Sequence, residues 1–410
     1  MQLLKGLSRV VKKPVVKSIL AIALYDVLIF SLFLIVNPNT LSWLFDDKYV
    51  LTNDLAHYVD FRPGHPPIGK LPYTYLYKAF GSAEIIVLYN LATADLTLIS
   101  LYKLLKGMAP RRKAIALTSI VAFDPVFIWA IIVYPHADTL ALFWLVLAIY
   151  FIWARRPLGT GLSIALGFLT KIYHAVLLVP ALLLFKKWDR IVLVSSFLSI
   201  VVLVSAPYLA SDPLMYATTY LHHLSRGPSE SIFALLDGYY SHTGFPRPTF
   251  DAMIYAWQFN AVYTPSNVDH FNYVWSNPHL RHISFILQVS YLLMFSILAG
   301  RVHHEVEATR AVALSMLSYF VFSPFWNPII ALPTLILLIL VTLHVKTVFS
   351  LLALICLAAI DQLHLATWFL GTPLGVRMGL LTVVTSRALL ISTMLYVAGK
   401  TVRWGQWGEQ

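Results

Sequence analysis

The chain has 410 residues, of which 59% are hydrophobic and only 12% are charged. With a mean hydropathy of +0.73, this composition is too apolar for a water-soluble domain and indicates an integral membrane protein. The net charge of +11 sits mostly in loops between apolar runs, where it marks topology and argues against nucleic acid as a partner. The single cysteine, Cys356, excludes a disulfide framework or a cysteine-based metal site within one chain.

Apolar segments of about 20 residues, long enough to cross a hydrocarbon core of about 30 Å, recur along the chain. They predict an all-α polytopic membrane protein with about twelve transmembrane helices, forming one integral membrane domain over residues 1–410. The predicted helices cover residues 18–36, 84–105, 114–133, 138–153, 159–170, 175–185, 191–209, 283–299, 311–322, 329–344, 348–370 and 378–398. Segments 159–170 and 175–185 are each short for a crossing, so a broken pair lining a polar cavity is expected there.

Lysine and arginine residues occupy every second loop, beginning with the segment before the first helix. Because basic short loops stay in the cytoplasm, both termini are expected to be cytoplasmic in a cell-membrane protein. The outer side then receives a first extracytoplasmic loop at 37–83 and a long one at 210–282. An active site with polar residues is expected on that side.

The first outer loop ends in His65-Pro66-Pro67-Ile68-Gly69-Lys70. Pro66 and Pro67 fix φ and force extended geometry on the preceding residue, so His65 and Lys70 flank a rigid turn that suits a preorganised binding site. The alternative is a loop-to-helix junction in which Lys70 extends its ammonium group toward the membrane surface.

This loop, with the acids before it and the segment up to Gly81 after it, resembles the first extracytoplasmic loop of protein O-mannosyltransferases and related GT-C glycosyltransferases. Further blocks agree in order and in membrane side. They are residues 138–156, a Gly-rich helix at 159–170 that ends in Lys171 and an aromatic, and Ser323-Pro324-Phe325-Trp326 followed by Leu332-Pro333. The resemblance implies a GT-C-like fold in which the large first loop is catalytic.

The resemblance also implies transfer of a sugar, mannose or a similar hexose or pentose, from a polyprenyl-phosphate donor to a hydroxyl, with inversion. The acceptor hydroxyl needs a general base, which a first-loop carboxylate could supply. Asp54 is the first choice because Asp54-Leu55-Ala56-His57-Tyr58 matches the family's Asp-x-x-x-Tyr pattern. Asp47, before Lys48-Tyr49, and Asp60, before Phe61, are rivals, and any of the three acids is alternatively a solvated loop residue.

The departing lipid phosphate needs nearby positive charge, because negative charge develops on its oxygens as the glycosidic bond breaks. The candidates for binding donor and substrate on the predicted outer side are Arg62, His65, Lys70, His136, Lys171, Arg226, Glu230 and Arg247. Glu230 is also a possible second acid, although a capped surface helix starting at Ser229 explains its surroundings equally well. For Asp138, at the start of a helix, an N-cap is the commoner role. Asp95, Asp124, Asp361 and Arg387 fall inside spans, where packing pairs are the simpler explanation.

No cofactor is indicated with certainty, and a divalent metal is possible but unsupported, because the histidines show no tight ligand spacing and the first loop has no Asp-x-Asp. The expected partners are the polyprenyl-phosphate sugar, membrane lipid and a hydroxyl acceptor on a glycan, lipid or protein. A polytopic secondary transporter or flippase, for a lipid-linked or small polar substrate, is the competing class. The absence of an evident internal repeat and the concentration of polar length on one side favour the enzyme.

Overall fold

The computed structural model describes residues 14–36, 66–132, 137–211, 213, 216–217, 220, 228, 230–237, 277–302, 304–326, 328–343, 345–370 and 373–401. These residues are almost entirely helical and contain no β-strand. The prediction of an all-α protein is therefore confirmed for the described part of the chain.

Fifteen α-helices lie in the described part, and we number them in chain order. They are α1 (Pro14–Val36), α2 (Pro67–Phe80), α3 (Ala83–Met108), α4 (Arg111–Ala122), α5 (Pro125–Ile132), α6 (Asp138–Trp153), α7 (Pro157–Phe168), α8 (Leu178–Leu184), α9 (Lys187–Ser211), α10 (Ile232–Asp237), α11 (Pro278–Arg301), α12 (Glu305–Val321), α13 (Pro328–Val341), α14 (Thr347–Leu370) and α15 (Pro373–Thr401). A 3₁₀ helix, Ile172–Leu177, connects α7 to α8.

Three of the described helices, α3, α9 and α11, are individually long and apolar enough to cross a membrane. The pair α4 and α5 forms a fourth candidate span that bends by 51°. The remaining apolar helices are shorter. The described residues are thus compatible with an integral membrane protein, and the count of about twelve crossings stays a prediction.

The bend between α4 and α5 corrects the prediction of one uninterrupted helix over residues 114–133. Pro125 has no N–H to continue the hydrogen-bond ladder of α4. The Asp124 carboxylate instead accepts hydrogen bonds from the N–H groups of Val126 at 2.9 Å and Phe127 at 3.1 Å. An acid that caps a new helix with proline in its first position is a local start signal, so α5 begins afresh.

Apolar side chains point outward on several helices while polar ones point inward. On α9, Leu198, Val202 and Leu203 are exposed, whereas Ser196 and Ser205 are buried. A water-soluble helix would show the opposite pattern. This arrangement fits helices whose outer faces meet lipid and whose polar groups find partners inside the protein.

The Gly-rich composition of α7 serves close packing against α9. A Cβ on Gly161 would lie 2.0 Å from the Ser196 hydroxyl oxygen and 2.4 Å from the Leu193 carbonyl oxygen. Since no side chain tolerates such distances, glycine is required where the two helices approach. Helix α7 also packs on α6, which packs on α3, and this layer supports the site described below.

Candidate functional site

An ion pair joins the end of α7 to the start of α6. Lys171 follows α7 in extended backbone geometry, with φ −148° and ψ 131°, and its Nζ contacts Oδ1 of Asp138, the first residue of α6. The Asp138 side chain is only 4% exposed and that of Lys171 is 19% exposed. The N-cap interpretation of Asp138 is wrong, because Ala137 occupies the cap position and no side chain caps α6.

Lys70 reaches the same place from α2. Pro66 is extended, with φ −59° and ψ 162°, and Pro67 begins the helix, as expected of proline in a first turn. The Gly69 N–H donates a hydrogen bond of 3.2 Å to the Leu169 carbonyl, which fixes the first turn of α2 to the end of α7. We call Lys70, Lys171 and Asp138 the lysine cluster.

Lys70 is buried, and the charges of Lys171 and Asp138 both act on it. Helix α2 is not among the candidate membrane spans. Burial and, to a smaller extent, the positive charge of Lys171 lower the pKa of Lys70, Asp138 opposes them, and the result is a pKa of about 7. Near neutral pH, this side chain therefore changes between the charged and neutral forms.

A buried polar layer holds α2 on α3 and α6 beside this cluster. The Tyr73 hydroxyl donates to Oδ1 of Asn90 at 2.8 Å, and the Thr139 hydroxyl donates to the same oxygen at 2.6 Å. Thr93 lies 2.9 Å from the Thr139 hydroxyl. Because these bonds connect three helices, they fix the orientation of the turn that carries Lys70.

His174 fixes the backbone of Lys171. Its Nδ1 lies 2.9 Å from the Lys171 carbonyl oxygen and its Nε2 lies 2.8 Å from the Ala141 carbonyl oxygen. The imidazole ring stacks on Tyr173 with the centroids 4.4 Å apart. A Cβ on Gly167 would lie 2.3 Å from this ring, so glycine is needed to admit the histidine.

Sequence reasoning missed His174, Tyr73, Asn90 and Thr139 as parts of this site. Two signals were present. Asn90 is an amide inside an apolar run, where polar groups usually face a partner, and His174 follows Lys171 by one helical turn. Neither signal identifies the partner helix, since the contacts join residues up to 49 positions apart.

A second charged group lies around Arg387 of α15. Its Nη2 donates to the Glu230 carbonyl oxygen at 2.6 Å, and its Nη1 lies 3.8 Å from Oδ1 of Asp361 on α14. The guanidinium also lies 4.2 Å from the ring centroid of Trp326. We call these four residues the arginine cluster. The predicted packing pair therefore exists between Asp361 and Arg387, and the charge of Asp124 also acts on Asp361.

Glu230 enters this cluster with strained backbone. Its φ is +51°, a left-handed conformation that costs energy for any residue other than glycine. The next residue, Ser231, donates to the Pro324 carbonyl at 2.5 Å and accepts from the Ala234 N–H at 3.2 Å. The helix expected at Ser229 therefore begins at Ile232, after a serine cap one turn before Ala234.

A pair of carboxyl groups connects α1 and α3. Asp95, predicted to lie in a span with a packing partner, hydrogen-bonds with Asp26 of α1. No sequence pattern marks Asp26 as this partner.

Most of the predicted outer-loop site lies outside the described residues. These are the candidate bases Asp47, Asp54 and Asp60, and the candidate binding residues Arg62, His65, His136, Arg226 and Arg247. Of the predicted binding residues, the structure describes Lys70, Lys171 and Glu230. It brings the two lysines together and places Glu230 in the arginine cluster. No group of three or more His, Cys, Asp or Glu in the described part of the chain is arranged to hold a metal ion.

No protein-family model matches the chain, and no curated protein or solved structure matches it either. Its function must therefore be inferred from its own residues and their geometry.

Proposed function

We propose that this protein is an inverting GT-C-type glycosyltransferase, which moves a sugar from a polyprenyl-phosphate donor to a hydroxyl acceptor at the extracytoplasmic face of the membrane. The observation that carries the proposal is the convergence of Lys70 and Lys171 on one acid, Asp138. Two ammonium groups beside one carboxylate leave a positive charge in excess when both lysines are protonated. Such a site suits the phosphate of the donor.

The two lysines have different exposure and therefore different parts in binding. Lys171 is partly exposed and makes the direct contact with the phosphate. Lys70 is buried and strengthens the positive potential. Both lysines attract the donor phosphate, and because negative charge develops on the leaving phosphate they also stabilise the transition state. Asp138 holds the ammonium group of Lys171 in place.

The donor tail must stay in the bilayer while its phosphate meets the cluster. Helix α2, which carries Lys70, exposes Tyr75 and Phe80 on its surface, and the adjoining α3 exposes Leu88. This apolar surface offers the polyprenyl chain a path beside the cluster. The arrangement fits a lipid-linked donor better than a soluble nucleotide sugar.

The general base is proposed to be Asp54, with Asp47 and Asp60 as the alternatives. The support is the sequence pattern, together with the chain continuity of the first loop. That loop runs directly into α2, whose first turn holds Lys70. The candidate acids and Lys70 thus belong to neighbouring parts of one segment.

The test is to incubate the purified protein with a panel of radiolabelled polyprenyl-phosphate sugars and to detect transfer. We expect Asp54→Asn to lower kcat by at least about 10²-fold with little change in donor affinity, because the amide cannot accept the acceptor's proton. Asp189→Asn, at the start of α9 on the predicted cytoplasmic side, is the matched control and should keep full activity.

Two other results have clear meanings. If Asp54→Asn stays active while Asp47→Asn or Asp60→Asn is inactive, the proposed enzyme class is retained and the base is another first-loop acid. If all three variants transfer sugar at the wild-type rate, no first-loop carboxylate is the base and the proposed mechanism fails.

The second candidate function is transport, and the arginine cluster favours it. Arg387 and Asp361 are buried charges within apolar helices, and such groups often line the path of a transported substrate. Proteoliposomes loaded with the labelled lipid-linked sugar separate the two functions. Translocation without formation of a new glycosidic bond would favour the transporter.

A further inference from the structure

A cavity of about 350 Å³ lies between the last turn of α6 and the first turn of α12, at the opposite end of α6 from Asp138. Its lining includes Tyr150, Phe151, Trp153, Arg155, Arg156 and Glu305. The volume falls in the range of about 300–1,000 Å³ that is usual for small-molecule sites. Neither the donor site nor the catalytic proposal uses any of these residues.

Two glycines on neighbouring helices make room for the aromatic walls of this cavity. A Cβ on Gly107 of α3 would lie 2.4 Å from the Trp153 ring, and a Cβ on Gly159 of α7 would lie 2.7 Å from the Phe151 ring. Neither distance is tolerable for real atoms. The rings are therefore seated in fixed positions by the packing of α3, α6 and α7.

The backbone at Arg155 is the second unusual feature. The Arg155 N–H donates to the Ile152 carbonyl at 3.1 Å, and the Arg156 N–H donates to the Phe151 carbonyl at 2.9 Å. This pair of bonds is the Schellman ending of a helix, which normally has glycine or asparagine in the left-handed position. Here that position, with φ +53°, holds Arg155. A residue that costs backbone energy and presents a guanidinium to a cavity points to a function for the charge.

The charges of the cavity have both signs. Arg156 and Glu305 are exposed and form no ion pair with each other in the described part of the chain. Arg155 is half-buried, with Nη1 3.4 Å from the Leu184 carbonyl oxygen. Two guanidinium groups suit a phosphate, whereas a carboxylate beside Tyr150 and Trp153 suits an ammonium group, which also interacts favourably with aromatic faces.

We propose that this cavity binds the zwitterionic headgroup of a membrane lipid, with the phosphate at Arg155 and Arg156 and the amine at Glu305. Leu158 and Trp188, on the nearby starts of α7 and α9, are exposed apolar residues against which acyl chains pack. Basic pockets between membrane helices on the cytoplasmic side are recognised sites for lipid headgroups. The same chemistry would admit a free phosphate ester that carries an amine.

The test measures binding of short-chain phosphatidylethanolamine, short-chain phosphatidylglycerol and soluble phosphoethanolamine to the purified full-length protein by native mass spectrometry. We expect Arg156→Gln to lower the affinity for both lipids by about tenfold, because a charge-assisted contact to phosphate is lost. Glu305→Gln should lower the affinity for phosphatidylethanolamine and leave that for phosphatidylglycerol unchanged. Lys186→Gln removes an exposed positive charge outside the cavity lining and should change neither affinity.

Other outcomes overturn the proposal. Equal affinities for Arg156→Gln and Lys186→Gln would mean that the cavity is not the binding site. If Glu305→Gln lowers the affinity for both lipids equally, Glu305 does not bind the amine and the site does not select a zwitterionic headgroup. Soluble phosphoethanolamine that binds as tightly as the lipid would identify a free phosphate ester as the ligand. Thermal unfolding of each variant checks that these exposed substitutions leave the fold intact.

Discussion

The lysine cluster and the arginine cluster bury similar groups in opposite proportions. The first sets two ammonium groups against one carboxylate, whereas the second sets one guanidinium against the two carboxyl groups of Asp361 and Glu230. A surplus of positive charge attracts an anion, and a surplus of negative charge does not. This difference favours the lysine cluster over the arginine cluster as the proposed phosphate site.

The clusters also differ in access. The Lys171 side chain keeps 19% of its surface exposed, whereas those of Arg387 and Asp361 keep 4% each. The arginine cluster is buried, and its residues come from α14, α15, the segment before α10 and the turn before α13. Such a buried cluster is suited to holding these segments together. An accessible group is suited to exchanging its partner for a ligand.

The largest expected effect tests the structural role of the arginine cluster. Arg387→Met would leave Asp361 buried without its ion-pair partner and would remove the hydrogen bond to the Glu230 carbonyl. Breaking a buried ion pair in this way typically costs about 3–5 kcal/mol. We expect a much lower midpoint of thermal unfolding in detergent and a lower yield of folded protein.

Two companions make this result interpretable. The double variant Arg387→Met/Asp361→Leu removes both charges and should recover part of the lost stability, since no unpaired Asp361 charge remains. Lys186→Gln, an exposed substitution, should stay within about 0.5 kcal/mol of wild type. If Arg387→Met and Lys186→Gln have the same midpoint of thermal unfolding, the arginine cluster does not stabilise the fold.

A smaller loss of stability is expected when the packing of α7 against His174, next to the lysine cluster, is disturbed. Gly167→Ala would place its methyl group 2.3 Å from the His174 ring, and overpacking of this kind costs about 1–3 kcal/mol. Because His174 also contacts the Lys171 carbonyl, donor binding should weaken along with stability. Both effects are measured by thermal unfolding and donor titration.

The double variant Gly167→Ala/His174→Ala supplies the control for this explanation. Removal of the ring gives the new methyl group space, so the second substitution should add less destabilisation in the Gly167→Ala background than in the wild type. Strictly additive losses would mean that the alanine acts elsewhere along α7.

Replacement of the partly exposed Lys171 addresses ligand binding more than folding. Lys171→Gln removes the proposed phosphate contact and should raise the donor KM by about tenfold or more, since one charge-assisted hydrogen bond is lost. Lys78→Gln, on the exposed part of the same α2 that carries Lys70, is the matched control and should leave KM unchanged. Equal KM values for the two variants would remove Lys171 from the donor site.

The features of the two clusters that could be predicted are those that depend on residues adjacent in sequence. The start of α2 after Pro66 and the position of Lys171 after a Gly-rich helix both follow from neighbouring residues. The break at Asp124 was also readable, because an acid before proline starts a new helix. Asp138 was ambiguous, since an acid at a helix start serves equally as a cap or as an ion-pair partner, and its partner is 33 positions away.

Contacts between distant segments were beyond the sequence. Arg387 meets Glu230 across 157 positions, and no periodicity in either segment indicates the other. The neighbourhood of Lys70 and Lys171 likewise depends on the Gly69–Leu169 hydrogen bond, which joins two backbones and leaves no side-chain signature. The sign of each cluster's surplus charge thus became visible only when the helices were assembled.

The smallest expected effect is a pH dependence that comes from Lys70 alone. Burial lowers the pKa of this lysine to about 7, so it is mostly protonated at pH 6 and mostly neutral at pH 8. The donor phosphodiester keeps its single negative charge over this range. Donor affinity should therefore fall by about threefold as pH rises through 7, because one of two attractive charges is lost while Lys171 remains. Lys70→Arg, which stays charged, should bind the donor equally well at both pH values, and Lys70→Met should bind it equally weakly at both. Titration of donor binding between pH 6 and 8 measures all three proteins, and a pH dependence that persists in Lys70→Arg would assign the titration to another group.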